Sequence, residues 1–187
     1  MSTRRNALLL APLLVSLAAA GDEPGPARYT ADDALALPAG YREWVYLSSG
    51  LDMSYRERGG APGHSTFDNV FVDPAAWRAF QRSGHWPDKT VFVMESRGAG
   101  TKGSINKAGE YQTEELMGIE VHVRDEARFK GGWGFYAFDG EAPAKLLPAS
   151  ASCYACHAAH GAVDTTFTQF YPTAAPIARQ AGTFRAD

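Results

Sequence analysis

The run Cys153-Tyr154-Ala155-Cys156-His157 constrains this chain more than any other feature. A Cys-x-x-Cys-His run is typical of c-type haem attachment, because one short turn presents both thiols to the haem vinyl groups and the next imidazole binds the iron. The motif uses the only two cysteines of the chain, so none remains for a disulfide or a tetrahedral zinc site. A thioredoxin-like redox pair is the alternative, but it requires a βαβ setting. The sequence therefore predicts one covalent haem c, attached through Cys153 and Cys156, with His157 bound to the iron.

The first 20 residues have the pattern of a secretory signal peptide. Arg4 and Arg5 precede an apolar run, and three alanines close the segment. The apolar run is too short to span a bilayer, and an uncleaved anchor is the alternative. We therefore expect a secreted, periplasmic protein without stable membrane insertion. The net charge of −3 and the lack of a basic stripe argue against nucleic acid as a partner.

Hydrophobic alternation predicts strands over 41–49, 66–72, 90–96, 116–124 and 133–138. A helix is predicted to begin after Asp73, its N-cap, with Pro74 in the first turn, and to end at Gly84. Further predictions are a short capped helix over 30–37, one helical turn over 125–129, and exposed loops over 53–65 and 97–109. Together these elements indicate an α+β fold, mainly an antiparallel sheet with a few short helices and a C-terminal haem c attachment segment.

The predicted organisation has four parts. A signal peptide covers residues 1–20, and a flexible lead-in with the short helix covers 21–40. The haem c domain covers 41–180, and a tail covers 181–187.

An ordered set of short stretches resembles the cytochrome P-460 family, which also contains the beta-type cytochromes c-prime. The stretches are Tyr41-Arg42-Glu43-Trp44-Val45, Val70-Phe71-Val72-Asp73-Pro74, Thr90-Val91-Phe92-Val93, Gly118-Ile119-Glu120, Gly132-Trp133-Gly134-Phe135, the haem motif, and Phe167-Thr168-Gln169-Phe170-Tyr171-Pro172. The resemblance implies a periplasmic, mostly β, homodimeric haem c protein. It also implies that the motif histidine is the only strong axial ligand and that the other haem face is open to small molecules.

Met94 places the chain closer to the beta-type cytochrome c-prime branch. Hydroxylamine-oxidising members of the family carry a haem-linked lysine after a Thr-Val-x-Val strand, and the corresponding residue here is Met94. Methionine cannot form that amine link. Its thioether is interpreted as pocket wall, with an axial ligand of a His/Met electron-transfer cytochrome as the alternative.

The remaining distal-pocket candidates are Phe67, Asp68, Phe92 and Glu120. Glu120 matches the family carboxylate near the distal face and is a candidate proton carrier, since an apolar pocket raises a carboxyl pKa. Asp68 stands where the hydroxylamine oxidisers have an arginine. The phenylalanines could cap the pocket or simply belong to the core. His122 shares the face of Glu120, either as a distal ligand or as an ordinary hydrogen-bonded histidine.

Three functions remain open at this point. The first is binding of a small ligand such as nitric oxide at an open iron. The second is a haem oxidase or peroxidase that acts on hydroxylamine or peroxide, and the third is electron transfer to a redox partner protein. The homodimer rests on the family resemblance alone.

Overall fold

The computed structural model describes residues 26–53, 65–103 and 107–186. The predicted signal peptide and most of the predicted loop over 53–65 lie outside these ranges. No helix within them is long and apolar enough to cross a membrane.

Five antiparallel strands form one sheet in which the spatial order follows the chain order. They are β1 (Val45–Leu51), β2 (Thr66–Val72), β3 (Val91–Gly100), β4 (Tyr111–Arg124) and β5 (Trp133–Phe138). The structure thus confirms the mainly antiparallel α+β class. The predicted loop over 97–109 is wrong at its start, because Arg97 to Gly100 continue β3 and pair with β4.

Three helices and two short 3-10 turns complete the described fold. They are α1 (Pro74–Ser83), α2 (Ser152–His160), α3 (Ala175–Ala181) and the 3-10 turns Tyr41–Glu43 and Thr168–Phe170. The cap of α1 is confirmed, since the Asp73 carboxylate accepts hydrogen bonds from the backbone N–H groups of Ala76 at 2.8 Å and Val91 at 3.0 Å. Asp73 therefore joins the start of α1 to β3.

The predicted helix over 30–37 is a turn instead. Asp33 has a left-handed φ of 65°, and the Thr30 hydroxyl accepts a hydrogen bond from the Ala34 N–H at 3.1 Å. Leu35, fully buried, forms a β-bridge with Ala144. The long-range bridge and the burial of Leu35 outweigh the local capping signal. The predicted strand over 41–49 likewise starts as a 3-10 turn and becomes extended only at Val45.

The sheet has two faces with different roles, which we call the cavity face and the packed face. On β3 the cavity face carries Phe92 and Met94, whereas the packed face carries Val91, Val93 and Glu95. The packed face is covered by the N-terminal segment, with Leu35 and Tyr41 among its buried side chains. The cavity face is covered by α1, α3 and the segment around α2. Phe184 packs against the same core, so the predicted tail over 181–187 is partly built into the fold.

Candidate haem site

A cavity of about 530 Å³ lies between the cavity face and the C-terminal segment. Cofactor and ligand sites typically measure roughly 300–1,000 Å³. The lining residues are Ser48, Gly50, Leu51, Asp52, Met53, Asp68, Val70, Phe92, Met94, Glu120, His122, His157, Phe167, Phe170 and Tyr171. Since most of this lining is apolar, the cavity suits a large cofactor with few polar groups.

Helix α2 carries the three residues of the predicted attachment motif. Cys153, Cys156 and His157 lie three and four positions apart, a spacing that places them on one side of a helix. Both cysteines are partly buried free thiols. Between them, the Tyr154 ring packs on Phe135 with 4.5 Å between ring centroids. The helix thus presents two thiols and one imidazole from a single anchored surface.

The imidazole of His157 is buried and its orientation is set by a backbone contact. Its Nδ1 lies 2.9 Å from the carbonyl oxygen of Thr165. Because a carbonyl can only accept, Nδ1 carries the proton and Nε2 carries the lone pair. No described residue makes a hydrogen bond to Nε2. Burial lowers the pKa of His157, an effect that the Thr165 hydrogen bond opposes. A neutral imidazole with its Nδ1–H engaged and Nε2 unused is the arrangement found in protein metal ligands.

Two carboxyl groups lie on the cavity face. Glu120 is accessible to solvent through the open cavity and makes no hydrogen bond within the described residues. The surrounding protein nevertheless partly desolvates its carboxyl. This desolvation, followed by repulsion from Asp68, raises the pKa of Glu120. The Asp68 carboxylate accepts a hydrogen bond from the Ser96 hydroxyl at 2.5 Å. Burial is also the main cause that raises the pKa of Asp68. Both groups therefore keep a proton to a higher pH than an ordinary exposed carboxyl does.

Of the other predicted pocket residues, Phe92 and Met94 line the cavity and Phe67 does not. Phe67 alternates with Asp68 along β2, so the strand period turns it away from the cavity. Sequence reasoning also missed Met53 as a cavity residue. Its thioether folds so closely over Gly50 that a Cβ there would lie 2.5 Å from the Met53 sulfur.

Most of the aromatic lining comes from the segment after the motif. Phe167, Phe170 and Tyr171 line the cavity, and the Phe167 ring lies 4.2 Å from that of His157. The signal was present in the sequence as a cluster of aromatic residues close behind the motif. It could not show which of these side chains turn inward.

His122 lies beside His157. Their ring centroids are 4.6 Å apart at an interplanar angle of 79°, which leaves no room for an iron atom between them as opposite ligands. His122 also makes no hydrogen bond to another described residue. Burial, and secondarily the proximity of His157, lowers the pKa of His122 well below its ordinary value.

Lysine is missing from the described lining of the cavity. Lys89, the lysine nearest to Met94 in the sequence, bonds to Asp125 with 2.5 Å between Nζ and Oδ1. No group of three or more histidine, cysteine or acidic side chains in the described ranges could hold a separate metal ion. His157 lines the apolar cavity, and Cys153 and Cys156 stand on the same helix outside its lining. This set of one imidazole, two thiols and an apolar cavity fits a haem.

The fold and this site together are those of a haem c protein built on an antiparallel sheet. The family model for cytochrome P460 matches residues 38–168, and the chain belongs to that family. Membership implies a covalently bound haem c, as the motif predicts. A comparison with curated proteins gave no match.

Proposed function

We propose that this chain is a periplasmic monohaem c-type cytochrome whose iron is held by His157 and is open on the other side to a small ligand such as nitric oxide. Cys153 and Cys156 would form the thioether links. The observation that carries the proposal is the Nδ1–H of His157 bonded to Thr165 at 2.9 Å, which leaves Nε2 for the iron. When bound, the haem supplies the metal at which a diatomic ligand binds. The chain's own residues exclude water, hold the imidazole and shape the ligand space.

The side chains that line the cavity support an iron with one open coordination position. His122 lies beside His157 rather than opposite it, so the described residues offer no second imidazole. Met94 and Met53 are the two thioethers of the lining. Met53 is packed onto Gly50, and Met94 stands opposite Glu120 in the pairing of β3 with β4. We propose that both are wall residues, which keeps the chain in the ligand-binding branch of its family.

Glu120 supports a second candidate, an oxidase or peroxidase that acts on hydroxylamine or peroxide. A carboxyl with a raised pKa and no hydrogen-bond partner can deliver a proton to a bound substrate and take it back. Turnover of either substrate that falls in Glu120→Gln, with nitric oxide binding retained, would favour this candidate.

The attachment is tested on protein made in a host that matures c-type cytochromes. We expect the denatured wild type to retain one haem by mass spectrometry. The variant Cys153→Ala/Cys156→Ala should release it. Retention of haem in the double variant would refute thioether attachment.

The axial ligand is tested with His157→Gly and the control His160→Ala. Removal of His157 should abolish the wild-type iron–imidazole signature, and added imidazole should restore it by occupying the vacated space. His160 lies one turn further along α2 and is not part of the cavity lining, so its variant should keep the wild-type spectrum. A wild-type spectrum in His157→Gly without imidazole would contradict the assignment.

The location and the assembly are also proposals. Residues 1–20 have a secretory pattern, and haem c attachment is compatible with export before folding. We expect mature protein in the periplasmic fraction with a new N-terminus near Ala20. The homodimer rests on the family resemblance, and light scattering should give about twice the mature mass. A monomer at micromolar concentration would contradict it.

A further inference from the structure

We propose that Asp164 is a positioning residue that sets the strength of His157 as an iron ligand, acting through the carbonyl of Thr165. The inference rests on the proposed role of His157. It adds a residue that does not line the cavity and that lies outside the haem motif.

The segment that accepts the His157 hydrogen bond has an unusual backbone. Asp164 has φ 47° and Thr165 has φ 59°, and residues other than glycine rarely adopt this left-handed conformation. Two such residues in succession persist only where the surrounding structure holds them. The carbonyl of the second is the one that bonds to Nδ1 of His157. The length and direction of that hydrogen bond therefore depend on whatever holds this segment.

Close packing against the end of α2 provides one restraint. A Cβ on Gly161 would lie 2.4 Å from the Thr165 carbonyl carbon and 2.7 Å from the His157 carbonyl oxygen. Only glycine allows this approach. The contact limits how close the segment can come, but it does not hold the segment in place from the other side.

The side chain of Asp164 supplies the opposite restraint. The backbone N–H of Trp86 donates to its Oδ2 at 2.8 Å, and Nδ1 of His85 lies 3.0 Å from its Oδ1. Arg124 Nη1 lies 3.5 Å from the same Oδ2. His85 and Trp86 follow the C-terminal end of α1, whereas Arg124 is the last residue of β4. Trp86 is fully buried. One carboxylate thus ties the left-handed segment to the turn after α1 and to the end of β4.

The contacts of the Asp164 carboxylate with His85, Trp86 and Arg124, which we call the tether, have a chemical consequence for His157. A hydrogen bond from the non-ligating nitrogen to a carbonyl raises the basicity of the ligating nitrogen and fixes the plane of the ring. The turn itself is closed by the Thr166 N–H, which donates to the Val163 carbonyl at 2.7 Å. Without Asp164, this turn would lose its anchor to the rest of the fold, and the Thr165 carbonyl would move from Nδ1. His157 would then be a weaker donor, which favours ferrous over ferric iron. We expect the iron–imidazole stretching band to move to lower frequency and the reduction potential to rise.

A change of charge near the haem would also raise the potential, so the design must separate the two effects. Glu126 provides the matched control. It pairs with the same arginine, with 2.8 Å between Arg124 Nη2 and its Oε1. It has no hydrogen bond to Asp164 or Thr165. Glu126→Gln therefore removes one negative charge from the same group and leaves the tether intact.

The test compares four haem-loaded proteins: the wild type, Asp164→Ala, Asp164→Asn and Glu126→Gln. Resonance Raman spectroscopy of the ferrous state reports the iron–imidazole band, and potentiometry reports the potential. Asp164→Ala should lower the band frequency and raise the potential. Asp164→Asn should shift less, because its amide oxygen still accepts from the Trp86 N–H. Glu126→Gln should leave the band in place.

A rescue variant keeps the test decisive if Asp164→Ala loads little haem. Thr165→Gly in the Asp164→Ala background should return the band toward the wild type, since glycine adopts a left-handed φ without a tether. An unmoved band in both Asp164 variants would overturn the inference, as would an equal shift in Asp164→Asn and Glu126→Gln. Absence of any iron–imidazole band in the wild type would instead refute the proposed role of His157.

Discussion

Each face of the sheet carries a glutamate, and the pKa values of the two glutamates are shifted in opposite directions. Glu95, on the packed face of β3, is only 3% exposed. Its carboxylate accepts hydrogen bonds from the Tyr41 hydroxyl, from Arg42 Nε at 2.8 Å and from Arg97 Nε. Glu120, on the cavity face of β4, is accessible through the cavity and has no such partner. Burial would raise the pKa of Glu95, but its three hydrogen bonds outweigh burial and lower it, whereas burial and Asp68 raise the pKa of Glu120.

This difference distinguishes the packed face, which has a structural role, from the cavity face, which carries the candidate haem site. A buried polar group in a scaffold is normally satisfied, because an unmade hydrogen bond costs folding free energy. Glu120 avoids this cost because solvent reaches it through the cavity. Glu120 and His122 both lack hydrogen bonds within the described residues and both line the cavity. The packed face holds the sheet in shape, and the cavity face keeps polar groups available for a cofactor and its ligand.

The largest expected effect comes from the packed face. Glu95→Gln leaves Arg97 and Arg42 without their carboxylate, and loss of a fully buried pair costs about 3–5 kcal/mol. Since the Arg42 side chain is 55% exposed and retains solvent, we expect a loss of roughly 2–3 kcal/mol in the free energy of unfolding. Urea denaturation of the haem-loaded protein measures it.

The pH dependence sharpens that prediction. A lowered pKa in the folded state adds stability above the ordinary glutamate pKa, and this stability is lost as the pH falls through the lowered value. The gap between the wild type and Glu95→Gln should therefore shrink in acid. A gap that stays constant from neutral to acidic pH would mean that the carboxylate charge is not what stabilises this face.

A smaller effect of opposite sign is expected on the cavity face. A raised pKa in the folded state means that the stability contributed by Glu120 is present below its ordinary pKa and is lost as the pH rises through the raised value. Glu120→Gln should therefore be at least as stable as the wild type at neutral pH. The two should converge in acid, so the same denaturation series serves both glutamates. A clear destabilisation by Glu120→Gln at neutral pH would show that this carboxylate has a structural partner after all.

The smallest effect is expected for Met94→Leu, which conserves volume and apolarity on the cavity face. Such swaps usually change stability by less than about 1.5 kcal/mol. If Met94 lines the cavity without binding the iron, the ferric spectrum of the variant should stay high-spin and nitric oxide should still bind. Met53→Leu is the matched control, since it removes the other thioether of the lining. A low-spin wild type that becomes high-spin in Met94→Leu alone would replace the open site with a His/Met electron carrier.

Local patterns in the sequence were sufficient for much of the sheet and for part of the site. Strand alternation has a period of two, so it correctly placed Phe92 with Met94 and Glu120 with His122 on shared faces. The cap at Asp73 and the stop at Gly84 were also readable, because capping depends on residues close in sequence. The spacing of Cys153, Cys156 and His157 was likewise readable, because these three residues are close in sequence.

Contacts between distant segments were decided only by the tertiary structure. Residues 30–37 carry a helix cap, yet burial of Leu35 against Ala144 makes the segment a turn. His122 was predicted either to oppose His157 or to be hydrogen-bonded, and packing put the two rings side by side. The tie from Trp86 through Asp164 and Thr165 to His157 joins positions far apart in the chain. Such contacts depend on how whole elements pack and have no periodic signature, whereas the motif and the strand faces follow from covalent neighbours alone.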